Sequence, residues 1–231
     1  MSRFNLLSVD SLMSAATWAV ALAGIALGGV LIRDMLPRKA EPAPVPRSIA
    51  NWAQVSGAGN RIGPGASTMQ IVIFSDYQCP SCAVVHAELV QFQNRFANDV
   101  SIIYRHFPLE AIHPFARDAA LTAECAASQD RFESYSTALF QVQDSIGIKP
   151  WFAFASEAGV PDGRAFAQCV AQQQGKSRVA ADIAAGQSVS LDATPTLIVN
   201  GTLYPSPLST VELEALLTTL SVESKSIAAR P

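Results

Sequence analysis

The run Met69–Cys82, M-Q-I-V-I-F-S-D-Y-Q-C-P-S-C, constrains the fold more than any other part of the chain. Met69 to Ser75 is apolar and rich in β-branched residues, the pattern of a buried strand. Pro80 then suits the first position of a helix, where a missing N–H is no loss. A helix from Pro80 to about Ala97 would bury Val84, Val85, Leu89, Phe92 and Phe96. Val100–Tyr104, V-S-I-I-Y, reads as a second strand. Strand, helix and strand in so short a span form a βαβ unit, whose two strands must run parallel.

Downstream the pattern turns helical. His113-Pro114 opens a helix to about Ala127, with His113 as its N-cap. Ser128 can cap another, in which Phe132, Tyr135, Leu139 and Phe140 share one face. Shorter helices are expected over 151–158, 162–173 and 176–187. Strand character returns at Thr196–Val199, Asn200-Gly201 makes a hairpin turn into Thr202–Tyr204, and Ser209-x-x-Glu212 is a capping box for a last helix to about Leu220. The class is therefore α/β: a central mixed sheet with one helical insertion, about 110–188.

The N-terminal region differs in kind. Ser11–Ile32 carries no charged residue, and at about 1.5 Å per residue it makes a helix of about 33 Å, long enough to cross a hydrocarbon core of about 30 Å. A cleaved signal peptide would have a shorter apolar region ending in small residues. We therefore expect a tail over 1–10 and one transmembrane anchor over 11–33. A Pro-rich linker over 34–50, with prolines at 37, 42, 44 and 46, would lead to a globular domain over 51–220 and a frayed tail over 221–231. Arg33, Arg38 and Lys39 follow the span and only Arg3 precedes it, so flanking charge alone would put the body in the cytoplasm. The cysteine chemistry below points the other way. The formal net charge is −3 with no basic run, which gives nucleic acid no footing as a partner.

Cys79 and Cys82 are placed for thiol chemistry. Cys79 would be the N-cap of the first helix, with its sulfur facing free backbone N–H groups, that of Cys82 included, and the positive end of the helix dipole. Both favour a thiolate over a thiol, which gives an attacking nucleophile at neutral pH. Cys82 lies one turn on and nearer the core, placed to resolve a mixed disulfide but too shielded to start one. A structural zinc site would need a second pair of ligands. Cys125 and Cys169 are far apart in sequence, and no histidine cluster compensates, so no metal is expected. A purely structural Cys79–Cys82 bridge would close too small a ring to remove much chain entropy. His86, His106 and His113 have no serine or cysteine partner at a suggestive spacing and are read as structural or surface residues.

Four separated motifs appear in order: I-V-I-F-S-D-Y-Q-C-P-S-C, then I-I-Y-R-H-F-P-L-E-A-I-H-P-F-A over 102–116, A-A-L-T-A-E-C-A over 119–126, and A-T-P-T-L-I-V-N-G over 193–201. Through them the chain resembles the DsbA-like thiol–disulfide oxidoreductases of the thioredoxin superfamily, from about Ile62 to Leu220. The resemblance implies a thioredoxin-like fold with an inserted helical domain. It implies catalysis by Cys79 and Cys82 with Pro80 and Ser81 between them, and a Thr194-Pro195 loop whose proline is cis and faces the sulfurs. No cofactor is implied. Substrates would be proteins with free thiols or disulfides. A DsbB-like or vitamin K epoxide reductase-like membrane protein would be the redox partner.

Two departures bear on chemistry. Some thioredoxin-fold enzymes keep a buried acid on the strand before the active-site helix; the matching position here is Ile73, with Asp76 nearby. The central dipeptide is Pro-Ser, not the Pro-His of the strongest oxidants, so a serine hydroxyl stands where a positive charge could. The expected potential therefore lies between those of thioredoxin and DsbA, about −270 and about −120 mV.

Cys125 and Cys169 each face the apolar side of a helix, which suits two buried free thiols as well as a bridge. Family members with cysteines at similar places carry a second, non-catalytic disulfide, and in an oxidising compartment the resemblance favours Cys125–Cys169. Such cysteine usage points to an extracytoplasmic domain, periplasmic or extracellular, on a single-pass anchor in the inner or cytoplasmic membrane. Two rivals remain: a reductase or isomerase of the same fold, and a non-catalytic assembly factor that uses the groove to bind peptides.

Overall fold

The computed structural model describes residues 45–228 together with the single residue Trp18. The expected N-terminal tail, the anchor over 11–33 (Trp18 apart) and the linker as far as residue 44 lie outside these residues. Among the described residues, no helix is long and apolar enough to cross a membrane.

Six strands form one sheet: β1 Arg47–Ser48, β2 Asn60–Ile62, β3 Met69–Ser75, β4 Val100–His106, β5 Thr196–Val199 and β6 Thr202–Tyr204. Their order is β1-β6-β5-β3-β4-β2. β3 and β4 are parallel, in register from Met69 opposite Val100 to Ser75 opposite His106, as a βαβ unit requires. The remaining neighbours are antiparallel. The sheet begins at Arg47, earlier than the expected domain start at 51, because β1 pairs with β6 and Ile49 is buried behind it. Asn200 and Gly201 both take positive φ in the hairpin between β5 and β6, the conformation a tight two-residue turn needs.

Eight helices are described: α1 Trp52–Ser56, α2 Pro80–Arg95, α3 Ala116–Ala127, α4 Phe132–Gln141, α5 Trp151–Glu157, α6 Gly163–Ala171, α7 Lys176–Ser188 and α8 Thr210–Ala228. The two faces of the sheet are packed separately, because side chains alternate along a strand. Ile71, Ile73, Ile102, Tyr104, Leu197 and Val199 join the core under α2, α8 and the helical insertion. Val72, Phe74, Ile103 and Ile198 pack on the other face with Val55 of α1 and Phe107.

Several expectations need correction. Val84 is exposed on α2, where Cys82, Val85, His86, Leu89 and Phe92 form the buried stripe. His113 does not cap α3: the N-cap is Phe115, and the His113 ring is drawn instead to Asp76. Ser128 ends α3 rather than opening α4, its Oγ donating to the Cys125 carbonyl at 2.8 Å. The capping box forms, with Ser209 N–H donating to Glu212 Oε2 at 2.8 Å and Glu212 N–H to Ser209 Oγ at 3.3 Å. Its helix, however, continues past Leu220 to Ala228, through the segment expected to fray.

Candidate active site

The C-terminal end of β3, the first turn of α2 and the loop before β5 meet at one place. Cys79 is the N-cap of α2, with extended backbone (φ −79°, ψ 118°), and Pro80 holds the N1 position. Cys79 and Cys82 are both free thiols and both buried, Cys82 completely. Cys79 Sγ does not turn back to the free N–H groups of the helix: no side-chain capping bond forms. Cys82 N–H donates instead to the Cys79 carbonyl at 3.0 Å, and the Cys79 thiol donates to the Thr194 carbonyl at 3.4 Å. A neutral thiol is a donor and takes an acceptor where one is offered. The Thr194-Pro195 peptide bond is cis. The structure thus brings Cys79, Cys82 and Thr194 together from chain segments more than a hundred residues apart, with Ser81 exposed beside them.

Cys82 sits in different surroundings. Burial pushes its thiol up to about 12, opposed first by the Asp76 backbone N–H. The Asp76 N–H lies 3.5 Å from Cys82 Sγ.

Asp76 is the residue whose importance the sequence did not reveal. Its side chain is fully buried. Oδ1 accepts from Gln78 N–H at 2.7 Å, and Oδ2 accepts from Leu109 N–H and His113 Nδ1, both at 2.8 Å. Three donors around one carboxylate fix the loop before Cys79 against the loop after β4. From the insertion, Gln143 Nε2 donates to the carbonyls of Tyr77 and Cys79 at 2.6 and 2.8 Å. Spacing carried no signal for Gln143. For Asp76 the only signal was an acid three residues before a reactive cysteine.

Cys125 on α3 and Cys169 on α6 are joined in a disulfide, with Cα atoms 5.7 Å apart. They lie in the main core.

Among the described residues, His106, Glu124 and Asp182 bring three ligand-type atoms together. Those atoms are already engaged. Arg105 Nη1 is 2.6 Å from Asp182 Oδ1, His106 N–H donates to Asp182 Oδ2, and His106 Nε2 and Asn60 Nδ2 both reach Glu124 Oε1. A cation there would meet the buried Arg105 guanidinium, so the donor set suits an internal salt-bridge network better than a metal.

A sequence model of the family described as thioredoxin matches residues 56–219. BdbD from Bacillus subtilis, in its oxidised form, superposes with a TM-score of 0.64 at 20% identity, over 77% of this chain and 98% of that one. A thioredoxin-like oxidoreductase from Silicibacter pomeroyi gives 0.61 at 21%, over 77% and 99%. DsbA of Chlamydia trachomatis gives 0.61 at 18%, over 80% and 97%. Among curated sequences, a protein named Na(+)/H(+) antiporter NhaA 1 from Mycolicibacterium gilvum is 35% identical over 147 residues, which is 63% of this chain. The chain spans only about a quarter (24%) of that protein's length.

Proposed function

The chain belongs to the thioredoxin family and has the fold of DsbA-like thiol–disulfide oxidoreductases; from that premise we propose that it donates disulfides to protein thiols through Cys79 and Cys82. One observation carries the reading: Cys79 is an N-cap thiol against the Thr194 carbonyl, beside cis-Pro195, with Cys82 buried one turn below. In the oxidised pair, a substrate thiolate attacks Cys79, Cys82 leaves as a thiolate, and a mixed disulfide forms. A second substrate thiolate then attacks its own half of that bond, and Cys79 leaves in turn. The Thr194 backbone, whose carbonyl already meets the Cys79 sulfur, would offer a substrate segment main-chain hydrogen bonds beside the sulfurs. Pro80 and Ser81 occupy the first turn and keep the helix end open above them.

The apolar run Ser11–Ile32 supports a membrane anchor, and the Cys125–Cys169 bridge supports an oxidising, extracytoplasmic compartment. In that place, a DsbB-like or vitamin K epoxide reductase-like protein would restore the oxidised pair. Run in the opposite direction, the same atoms reduce a disulfide. Thiol trapping in cells decides between the two: a mostly oxidised Cys79–Cys82 pair is expected, and a mostly reduced one would assign a reductase or isomerase. An alkaline-phosphatase fusion at Pro46 is expected to be active, and an inactive fusion would place the domain in the cytoplasm.

A further inference from the structure

The alternation of side chains along β3 puts Ser75 on the same face as Ile71 and Ile73, the face that α2 covers. Ser75 is the last residue of the strand, opposite His106 in register, so its hydroxyl points into the space beneath the first turn of α2, where Cys82 is buried. Ser75 Oγ is buried and has no hydrogen-bond partner among the described residues, and the same is true of Thr194 Oγ1. Buried hydroxyls without partners are uncommon and need a reason. Thr194 already meets the Cys79 sulfur through its carbonyl at 3.4 Å, and the Asp76 N–H, next in the chain after Ser75, approaches the Cys82 sulfur at 3.5 Å; neither hydroxyl bonds that sulfur while it is a thiol. The carboxylate that could have served this cysteine from the strand is replaced by Ile73, which is fully buried and apolar.

We infer that Ser75 is a catalytic residue that, with Thr194 Oγ1 and the Asp76 N–H, forms a donor site holding the Cys82 thiolate while the disulfide forms or breaks. The inference rests on the oxidoreductase reading above and deepens it. In resolution, Cys82 first loses its proton to solvent. Its thiolate then attacks the Cys79 sulfur, the Cys79–Cys82 bond forms, and the departing thiolate takes the electron pair of the broken mixed disulfide. In donation the order reverses. An incoming thiolate bonds to Cys79, and Cys82 leaves with the electron pair into the same three donors, later taking a proton from solvent. A carboxylate at Ile73 could carry that proton, but it would also repel the thiolate. Neutral donors stabilise the charge without exchanging it, so the proton must travel separately.

The test follows the purified, reduced full chain reacting with oxidised glutathione. Attack by Cys79 releases one glutathione, and attack by Cys82 on the mixed disulfide releases a second. In Ser75→Ala, we expect the first release to be unchanged and the second to slow by roughly ten-fold at neutral pH, the scale of one hydrogen bond to a charged group. The midpoint of its pH profile should move up by roughly one unit. Ser75→Thr, which keeps the hydroxyl, should restore both. A second release at the wild-type rate and with the wild-type pH profile in a folded Ser75→Ala protein overturns the inference and leaves the oxidoreductase reading standing. So does a folded Ser75→Thr protein as slow as Ser75→Ala. A wild-type chain that releases no glutathione overturns both.

Discussion

His113 Nδ1 donates to Asp76 Oδ2 at 2.8 Å, tying the loop after β4 to the loop that presents Cys79. The carboxylate is fully buried while the imidazole keeps partial access to solvent. The two partners therefore differ in what their removal leaves behind. Asp76→Ala strands the half-buried N–H groups of Gln78 and Leu109, and each unsatisfied donor costs about 1–3 kcal/mol when kept from water. His113→Ala leaves those two bonds in place. We expect Asp76→Ala to lower unfolding stability by about 3 kcal/mol and His113→Ala by about 1 kcal/mol in urea titrations. Equal losses would mean that the imidazole, rather than the two backbone donors, accounts for the role of Asp76.

Gln143 reaches the same loop from the insertion, through two carbonyls. Gln143→Ala should destabilise by about 1–2 kcal/mol, the loss of two neutral hydrogen bonds. Gln143→Glu should cost more at neutral pH, because a carboxylate would face the carbonyl oxygens of Tyr77 and Cys79. Part of that loss should return below about pH 4, where the protonated acid can donate once. Thermal unfolding at pH 7 and pH 4 separates the two variants, and a Glu substitution milder than Ala would show that the Gln143 contacts hold nothing.

These two contacts mark the boundary of what the sequence could reveal. Strand periodicity at Met69–Ser75, the proline at α2 position N1, the Asn200-Gly201 turn and the Ser209–Glu212 box are local devices, and each could be read from neighbouring residues. The βαβ order then sets the parallel pairing of β3 and β4. Asp76, Gln143 and the Ser75 hydroxyl act instead on partners brought near by folding, at Leu109 and His113, at the Cys79 carbonyl, and at Cys82. Their sequence neighbours give no hint of those partners. The His113 cap failed for the same reason. A residue before proline that looks like a local helix signal was taken by a buried carboxylate 37 positions away. Val84 failed on phase: the buried stripe of α2 runs through Cys82, Val85, His86 and Leu89, so one position beside it faces solvent.

The redox potential of the Cys79–Cys82 pair should fall between about −270 and about −120 mV. Ser81 is exposed and uncharged, so it cannot stabilise a Cys79 thiolate as a cationic side chain in that place would. Ser81→His is expected to make the pair more oxidising, toward the upper end of the range. Equilibration against glutathione buffers reads both values, and a wild-type value outside the range rejects the argument from the dipeptide.

The Cys125–Cys169 bridge closes a loop of 44 residues. On the chain-entropy account such a loop contributes up to roughly 4 kcal/mol, and the loss of a native disulfide typically costs 2–5 kcal/mol, so we expect Cys125→Ala/Cys169→Ala to lose about 3 kcal/mol. The glutathione reaction of Cys79 should persist in that variant, since the bridge ties α3 to α6 within the insertion. Loss of the Cys79 reaction in a folded double variant would show that the bridge also shapes the site.

Acid should weaken the fold through His86. The ring is buried, paired at Nδ1 with the Tyr104 hydroxyl and at Nε2 with Thr137 Oγ1 at 2.9 Å. Burial lowers its pKa to about 4, from an ordinary value of 6.5. Above about pH 6.5 the ring is neutral whether the chain is folded or unfolded, and this group adds no pH dependence. Between about 6.5 and 4 the unfolded chain binds the proton first, so stability falls as pH falls. Below about 4 both states are protonated and the loss is complete, at roughly 3 kcal/mol. In His86→Gln, which keeps a polar side chain but cannot titrate, that slope should disappear. Unfolding free energies of the two proteins measured from pH 7 to pH 4 should therefore converge as the pH drops. Parallel curves would mean that His86 takes up its proton in the fold as readily as in the open chain.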